Sequence, residues 1–144
     1  MLFRSKLNLK RLNFIVKICP SINNCLATIY ENQNYILIDI NWLYTIKREK
    51  NDWFLLQVLA HEMGHHLLNH TIKNVENLNQ SRLQELEADE FSGYVLGLYG
   101  ASMIDIKTAV GNIPPNNNIN STHPNNQMRE KAVIKGYKIG RAHV

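Results

Sequence analysis

Long apolar runs, a cysteine framework and a phosphate-binding loop are all missing from this chain. No apolar stretch approaches the roughly 18 residues that a membrane-spanning helix needs. Lys17 interrupts the apolar "LNFIVKIC" near the N-terminus, so that segment does not read as a signal peptide. The two cysteines, Cys19 and Cys25, fit neither a Cys-x-x-Cys metal knuckle nor a disulfide framework, and two reduced core thiols are expected. One-signed charge is also scarce. The net charge is +4, with lysines and arginines scattered and densest at Arg4, Lys6, Lys10 and Arg11. Without a Gly-rich loop or aromatic residues interleaved with basic ones, no nucleic-acid partner is expected, and the basic end reads as a solvated surface. The expectation is a soluble protein with no membrane segment in this chain, in the cytoplasm. A periplasmic or membrane-associated location is the alternative if the N-terminus is incomplete.

What is present is enough apolar material for one core: 44% of 144 residues are hydrophobic and 19% charged, the balance of a single globular domain. Nineteen asparagines are dispersed along the chain with many isoleucines and lysines. That mixture looks like the codon bias of an AT-rich genome, so runs such as "PPNNNIN" read as loop material. The closing "IGRAHV" matches the translation of a common sequencing-adapter string. Residues 139–144 are therefore expected to be non-native and without function, leaving 1–138 as the domain.

"NFIVKIC" (13–19) and "CLATIYENQNYILIDI" (25–40) are rich in β-branched and aromatic residues, and the turn chemistry at 32–34 predicts a hairpin. "NWLYTIKREK" reads as a short helix. Asp52 is a candidate cap for a helix running to about His70, whose first turns, "WFLLQVLA", are apolar nearly all round and place it inside the domain. The polar stretch 71–80 reads as a mobile loop. Ser81 with Gln84 forms a capping-box pattern that opens a second helix ending near Gly100. Ser102 starts a third, closing near Gly111, and "NNQMREKAVIKGY" predicts a last helix.

The chemistry concentrates in "HEMGHHLLNH" (61–70). On a helix, His61 and His65 stand one turn apart on the same face and can hold one zinc ion, the geometry of a His-Glu-x-x-His motif. Glu62 is rotated off the ligand face. It is placed instead to take a proton from a water that zinc has acidified to a pKa of about 7. Gly64 leaves room for a neighbouring element. A buried helix that merely carries histidines is the alternative, but burying several imidazoles and a carboxylate without partners is costly. A third ligand must follow. The extended glycine-containing motif that would supply a third histidine is absent, and His70 is too close. In "ELEADEFSGY", Glu85 and Asp89 are i and i+4 and share a face with Ala88 and Ser92, whose small size favours close helix packing, whereas Glu87 points elsewhere. Glu85 as ligand, with Asp89 orienting a zinc-bound histidine, meets the usual requirements of such a centre. The alternative for any one of these carboxylates is an acidic helix start favoured by the dipole.

"LAHEMGHHLLNHT", "ELEADEFSGYVL", "GAS" and "STHPNNQMREKAVIKGY" occur in this order, and together they resemble the zinc metallopeptidases of the HtpX and CAAX prenyl protease family. That gluzincin group is marked by His-Glu-x-x-His followed by Glu-x-x-Ala-Asp, and the likeness is greatest to small bacterial members beginning with a short sheet. The resemblance covers most of residues 13–138. It implies one Zn2+ on His61, His65 and Glu85, Glu62 as catalytic base, and Asp89 supporting a ligand. It also draws attention to His123, either stabilising an oxyanion or capping the metal, and to Arg129, holding substrate backbone or an internal carboxylate. A loop leading into a helix, with a surface arginine, is the plainer reading of both. His66 and His70 are expected to pack or to support the ligands. Because the transmembrane helices of HtpX and the prenyl proteases have no counterpart here, prenylated or membrane substrates do not carry over.

The expected fold is α+β, a minimal zincin-like domain: a small N-terminal sheet, the active-site helix, the glutamate helix and two shorter helices. The expected function is zinc-dependent hydrolysis of peptide bonds in a peptide or protein substrate, with an extended substrate pairing along the sheet edge. Two other readings stand beside it: a zinc-containing binding or chaperone-like module with little turnover, and a regulatory protease cutting one partner.

Overall fold

The computed structural model describes residues 14–71, 77–116 and 118–144. The basic cluster Arg4, Lys6, Lys10 and Arg11, and residues 72–76 of the stretch 71–80 expected as a mobile loop, lie outside the described residues; residues 78–80 of that stretch are helical. Among the described residues three short strands come first, β1 (Ile15–Ile18), β2 (Cys25–Tyr30) and β3 (Gln33–Ile38). Their order is β1-β3-β2, with β1 parallel and β2 antiparallel to β3. The hairpin turn is Glu31–Asn32, both at positive φ, rather than 32–34. Two left-handed residues in a row give the tight turn whose twist matches the flanking strands, so Gln33 already pairs with Tyr30.

Five helices follow among the described residues: α1 (Ile40–Glu49), α2 (Asp52–Leu67), α3 (Leu78–Leu98), α4 (Met103–Gly111) and α5 (Asn126–Ala142). None is long and apolar enough to cross a membrane. The architecture is α+β, as expected, but α5 is one residue longer than α2, not a short closing helix. The caps differ too. Asn51, not Asp52, caps α2 and accepts from Phe54 N–H, which leaves Asp52 in the first turn where the helix dipole favours a carboxylate. Asn77 caps α3 and accepts from Gln80 N–H, so Ser81 lies within the first turns and not at the cap. Ser102 does cap α4, in a reciprocal capping box with Asp105. Gly100, at φ +88, follows the end of α3 as a left-handed residue.

α2 is the axis of the domain. Phe54 at its start belongs to an apolar cluster with Leu96, Ile106, Val110 and Val133, built by α3, α4 and α5. Met63, about two and a half turns on, belongs to a second cluster with Cys25 and Ile36 of the sheet. A helix buried on both sides must be apolar nearly all round, which is what "WFLLQVLA" supplies. Of the two thiols only Cys25 is core; Cys19 is half-buried. Burial, then the nearby Glu62 charge, push the Cys25 thiol up to about 12.

Candidate metal centre

His61 and His65 project from the same side of α2 toward the first turns of α3. Gly64 allows the approach, since a Cβ there would meet Phe91 Cδ1 at 3.1 Å and Ala88 Cα at 3.3 Å. Ala88 and Ser92, both fully buried, form the facing stripe. With the helices this close, Glu85 reaches both imidazoles: its Oε2 lies 3.0 Å from His61 Nε2 and its Oε1 3.5 Å from His65 Nε2. The two Nε2 atoms are 3.1 Å apart. Ligands about 2.0–2.1 Å from a tetrahedral zinc stand roughly 3.3 Å from one another, so this donor set has the chemistry and the spacing for one such ion. Among the described residues this is the group placed to hold a metal.

The surroundings fix the ring orientations. His61 Nδ1–H donates to Asp89 Oδ1 at 2.8 Å, which turns Nε2 toward Glu85. Burial alone would lower the His61 pKa, but the hydrogen bonds to Asp89 and Glu85 outweigh it and the value is pushed up to about 9. Burial would raise the Glu85 carboxyl, yet the hydrogen bonds from His61 and His65 hold it well below the usual carboxylate range. Asp89 is completely buried and receives Arg129 bidentately, Nε to Oδ2 at 2.8 Å and Nη2 to Oδ1 at 3.0 Å. Against burial, the His61 and Arg129 hydrogen bonds lower its pKa. Of the two roles open to Arg129, these contacts are those of a residue holding an internal carboxylate.

Glu62 leaves the ligand group, as its position on the helix requires, and faces the sheet. Its Oε2 accepts from Ala27 N–H of β2 at 2.8 Å. Among the described residues β2 is a sheet edge, so the candidate base and an edge strand lie side by side. His123 comes in from the other side: its Nε2 is 3.2 Å from Glu85 Oε2, with the side chain 47% exposed. Its loop is well fixed. His123 N–H donates to Ser121 Oγ, its carbonyl accepts from Asn116 Nδ2, and Pro124 is buried. Arg82 of α3 donates to the carbonyls of Ile119 and Ser121. A cavity of about 550 Å³ opens beside this group. His61, Glu62, His123 and Arg129 line one end, and Trp42, Ile46, Phe54, Val58 and Ile113 form apolar walls.

Two residues here, Arg82 and Glu87, were not assigned from sequence, whereas His70 was expected to pack or to support the ligands. Arg82 orders the His123 loop, and nothing local in "SRLQE" signals it. His70 and Glu87 form a chain behind His65: His65 Nδ1 to His70 Nδ1 at 3.0 Å, and His70 Nε2 to Glu87 Oε2 at 2.7 Å. Residues two apart on a helix differ by about 200°, so Glu87 does leave the ligand face, but His70 meets it there. His66 packs and spans: its Nε2–H donates to Tyr35 O at 2.6 Å, tying α2 to β3. Residues 139–142 continue α5.

Comparison with protein-family models, with curated proteins and with solved structures gave no significant match.

Proposed function

We propose that this protein is a zinc-dependent endopeptidase with a minimal zincin-like domain, the reading that the likeness to the HtpX and prenyl protease family also implies. The observation that carries it is the convergence of His61 Nε2, His65 Nε2 and the Glu85 carboxylate, whose Oε2 lies 3.0 Å from His61 Nε2 and whose Oε1 lies 3.5 Å from His65 Nε2, with a carboxylate one residue off the ligand face. Zinc bound there supplies a Lewis acid that polarises the scissile carbonyl and makes water a nucleophile at neutral pH. Glu62 takes the proton of the attacking water and passes it to the leaving amine. His123 stands at the mouth of the centre, where its imidazole can face the oxygen on which negative charge develops. An extended substrate adds to β2, and the apolar cavity beside Glu62 receives a large hydrophobic side chain next to the scissile bond.

The test is Glu62→Gln. The amide can still accept from Ala27 N–H, so fold and zinc content should hold, while cleavage of a peptide library should fall by ~10²-fold or more, the scale of a general base. Full turnover at full zinc occupancy would remove Glu62 from the mechanism. A wild-type protein that binds zinc and cuts nothing in the library would favour the binding-module reading.

A further inference from the structure

We infer that His70 and Glu87 are positioning residues for the metal centre, holding His65 in the tautomer and orientation that let its Nε2 bind zinc. The inference rests on the zinc reading above and adds residues that reading does not use. A histidine that binds metal through Nε2 must carry its proton on Nδ1, and that N–H needs an acceptor. For His61 the acceptor is the Asp89 carboxylate itself, at 2.8 Å. No carboxylate contacts His65 Nδ1 among the described residues. Its neighbour is the other imidazole, His70 Nδ1 at 3.0 Å, and His70 Nε2 in turn lies 2.7 Å from Glu87 Oε2. One assignment of protons satisfies the whole chain. Glu87 accepts from His70 Nε2–H, which leaves His70 Nδ1 as a lone-pair acceptor. His65 Nδ1–H donates to it, and His65 Nε2 then faces His61 Nε2 and Glu85. Each ligand histidine is thus backed by a carboxylate, one directly and one through a second ring.

The local sequence builds this arrangement. α2 ends in a Schellman turn: Asn69, at φ +60, is the left-handed residue, Asn69 N–H bonds to His66 O at 3.1 Å, and His70 N–H bonds to His65 O at 2.8 Å. The second of these bonds fixes the His70 backbone directly against His65. Asparagine is among the few residues other than glycine that adopt this conformation readily, so "HHLLNH" encodes both the ligand and its support. His70 is 6% exposed, which keeps water from competing for the contact.

The experiment is zinc affinity by chelator competition, on full-length wild type, Glu87→Ala, Glu87→Gln and His70→Ala, with thermal unfolding of each metal-free protein as control. The Glu87 side chain is 47% exposed, so Glu87→Ala should fold normally and still bind one zinc, but 10- to 100-fold more weakly, the usual effect of removing such a support. Glu87→Gln keeps a neutral acceptor for His70 Nε2–H and should recover part of that loss. Cobalt substitution should show an altered visible spectrum in Glu87→Ala, because His65 is no longer held in one orientation. His70→Ala, if it folds, should lose at least as much affinity. Wild-type affinity and an unchanged cobalt spectrum in Glu87→Ala would overturn the inference and leave the zinc reading intact. Failure of the wild type itself to bind zinc would overturn both.

Discussion

The Asp89–Arg129 pair decides how much of the centre is architecture and how much is substrate recognition. Asp89 is wholly buried, and the Arg129 side chain is 12% exposed. Removing one partner of a buried ion pair leaves the other charge uncompensated and costs about 3–5 kcal/mol, several times the worth of a surface pair. Arg129→Met should therefore lower stability in urea unfolding, by less than that full amount because His61 Nδ1–H still donates to Asp89. Zinc affinity should fall as well, because Asp89 would lose the contact that fixes it beneath His61. If Arg129 instead served mainly to hold substrate backbone, the variant would raise KM with stability unchanged. The bidentate contact with Asp89 predicts the first outcome.

At the scale of elements, helix ends do much of the positioning. Asp39 caps α1, accepting from Asn41 and Trp42 N–H, and also from Asn23 N–H in the loop before β2. The Asn23 hydrogen bond, with those from Asn41 and Trp42, holds the carboxyl below its ordinary value of 3.8. A depressed folded-state pKa gives stability that is fully present above the unfolded value and lost as pH falls through the folded one. Asp39→Asn keeps a capping oxygen but no charge, so wild type should exceed it in stability at pH 6. In acid titrations of unfolding the difference should begin to shrink near 3.8 and disappear only as pH falls through the lower folded-state value.

Helix ends also show what the sequence made legible. His61, His65, Glu85 and Asp89 could be grouped because each pair sits one turn apart on a single helix, and the period of a helix is the same everywhere. Where two cap-competent residues compete, as Asn51 does with Asp52, the pattern alone cannot choose. Asn77 displaces Ser81 because a helix already nucleated extends at little cost. The contacts His70–Glu87 and Arg82–Ser121 join residues 17 and 39 positions apart, separations that no periodicity encodes. His123 was approached only through the "THP" turn and the family likeness. Residues 139–142 were expected to be no part of the domain, yet they continue α5, and Gly140 is buried where a Cβ would overlap the Tyr94 carbonyl.

For the molecule as a whole, the centre is where separate layers are joined. α2 supplies two of the candidate ligands, α3 the third, and the loop before α5 brings His123 beside them. α5 is locked to α3 by backbone contact. A Cβ on Gly93 would overlap the Val133 carbonyl, and one on Gly136 the Glu90 carbonyl. Arg129 therefore rides on a helix that cannot move independently of Asp89. An ion held by His61, His65 and Glu85 ties α2 to α3 in the folded state and finds no preformed site in the unfolded chain. Zinc should then stabilise the fold by mass action, about 2.7 kcal/mol at a free concentration 100 times its Kd. Chelation should lower the Tm of the wild type, and zinc should restore it. Glu85→Ala keeps both histidines but breaks the tie to α3, so its Tm should respond far less to either treatment. An equal response in Glu85→Ala would mean that zinc is held by α2 alone, and Glu85 would no longer belong to the centre.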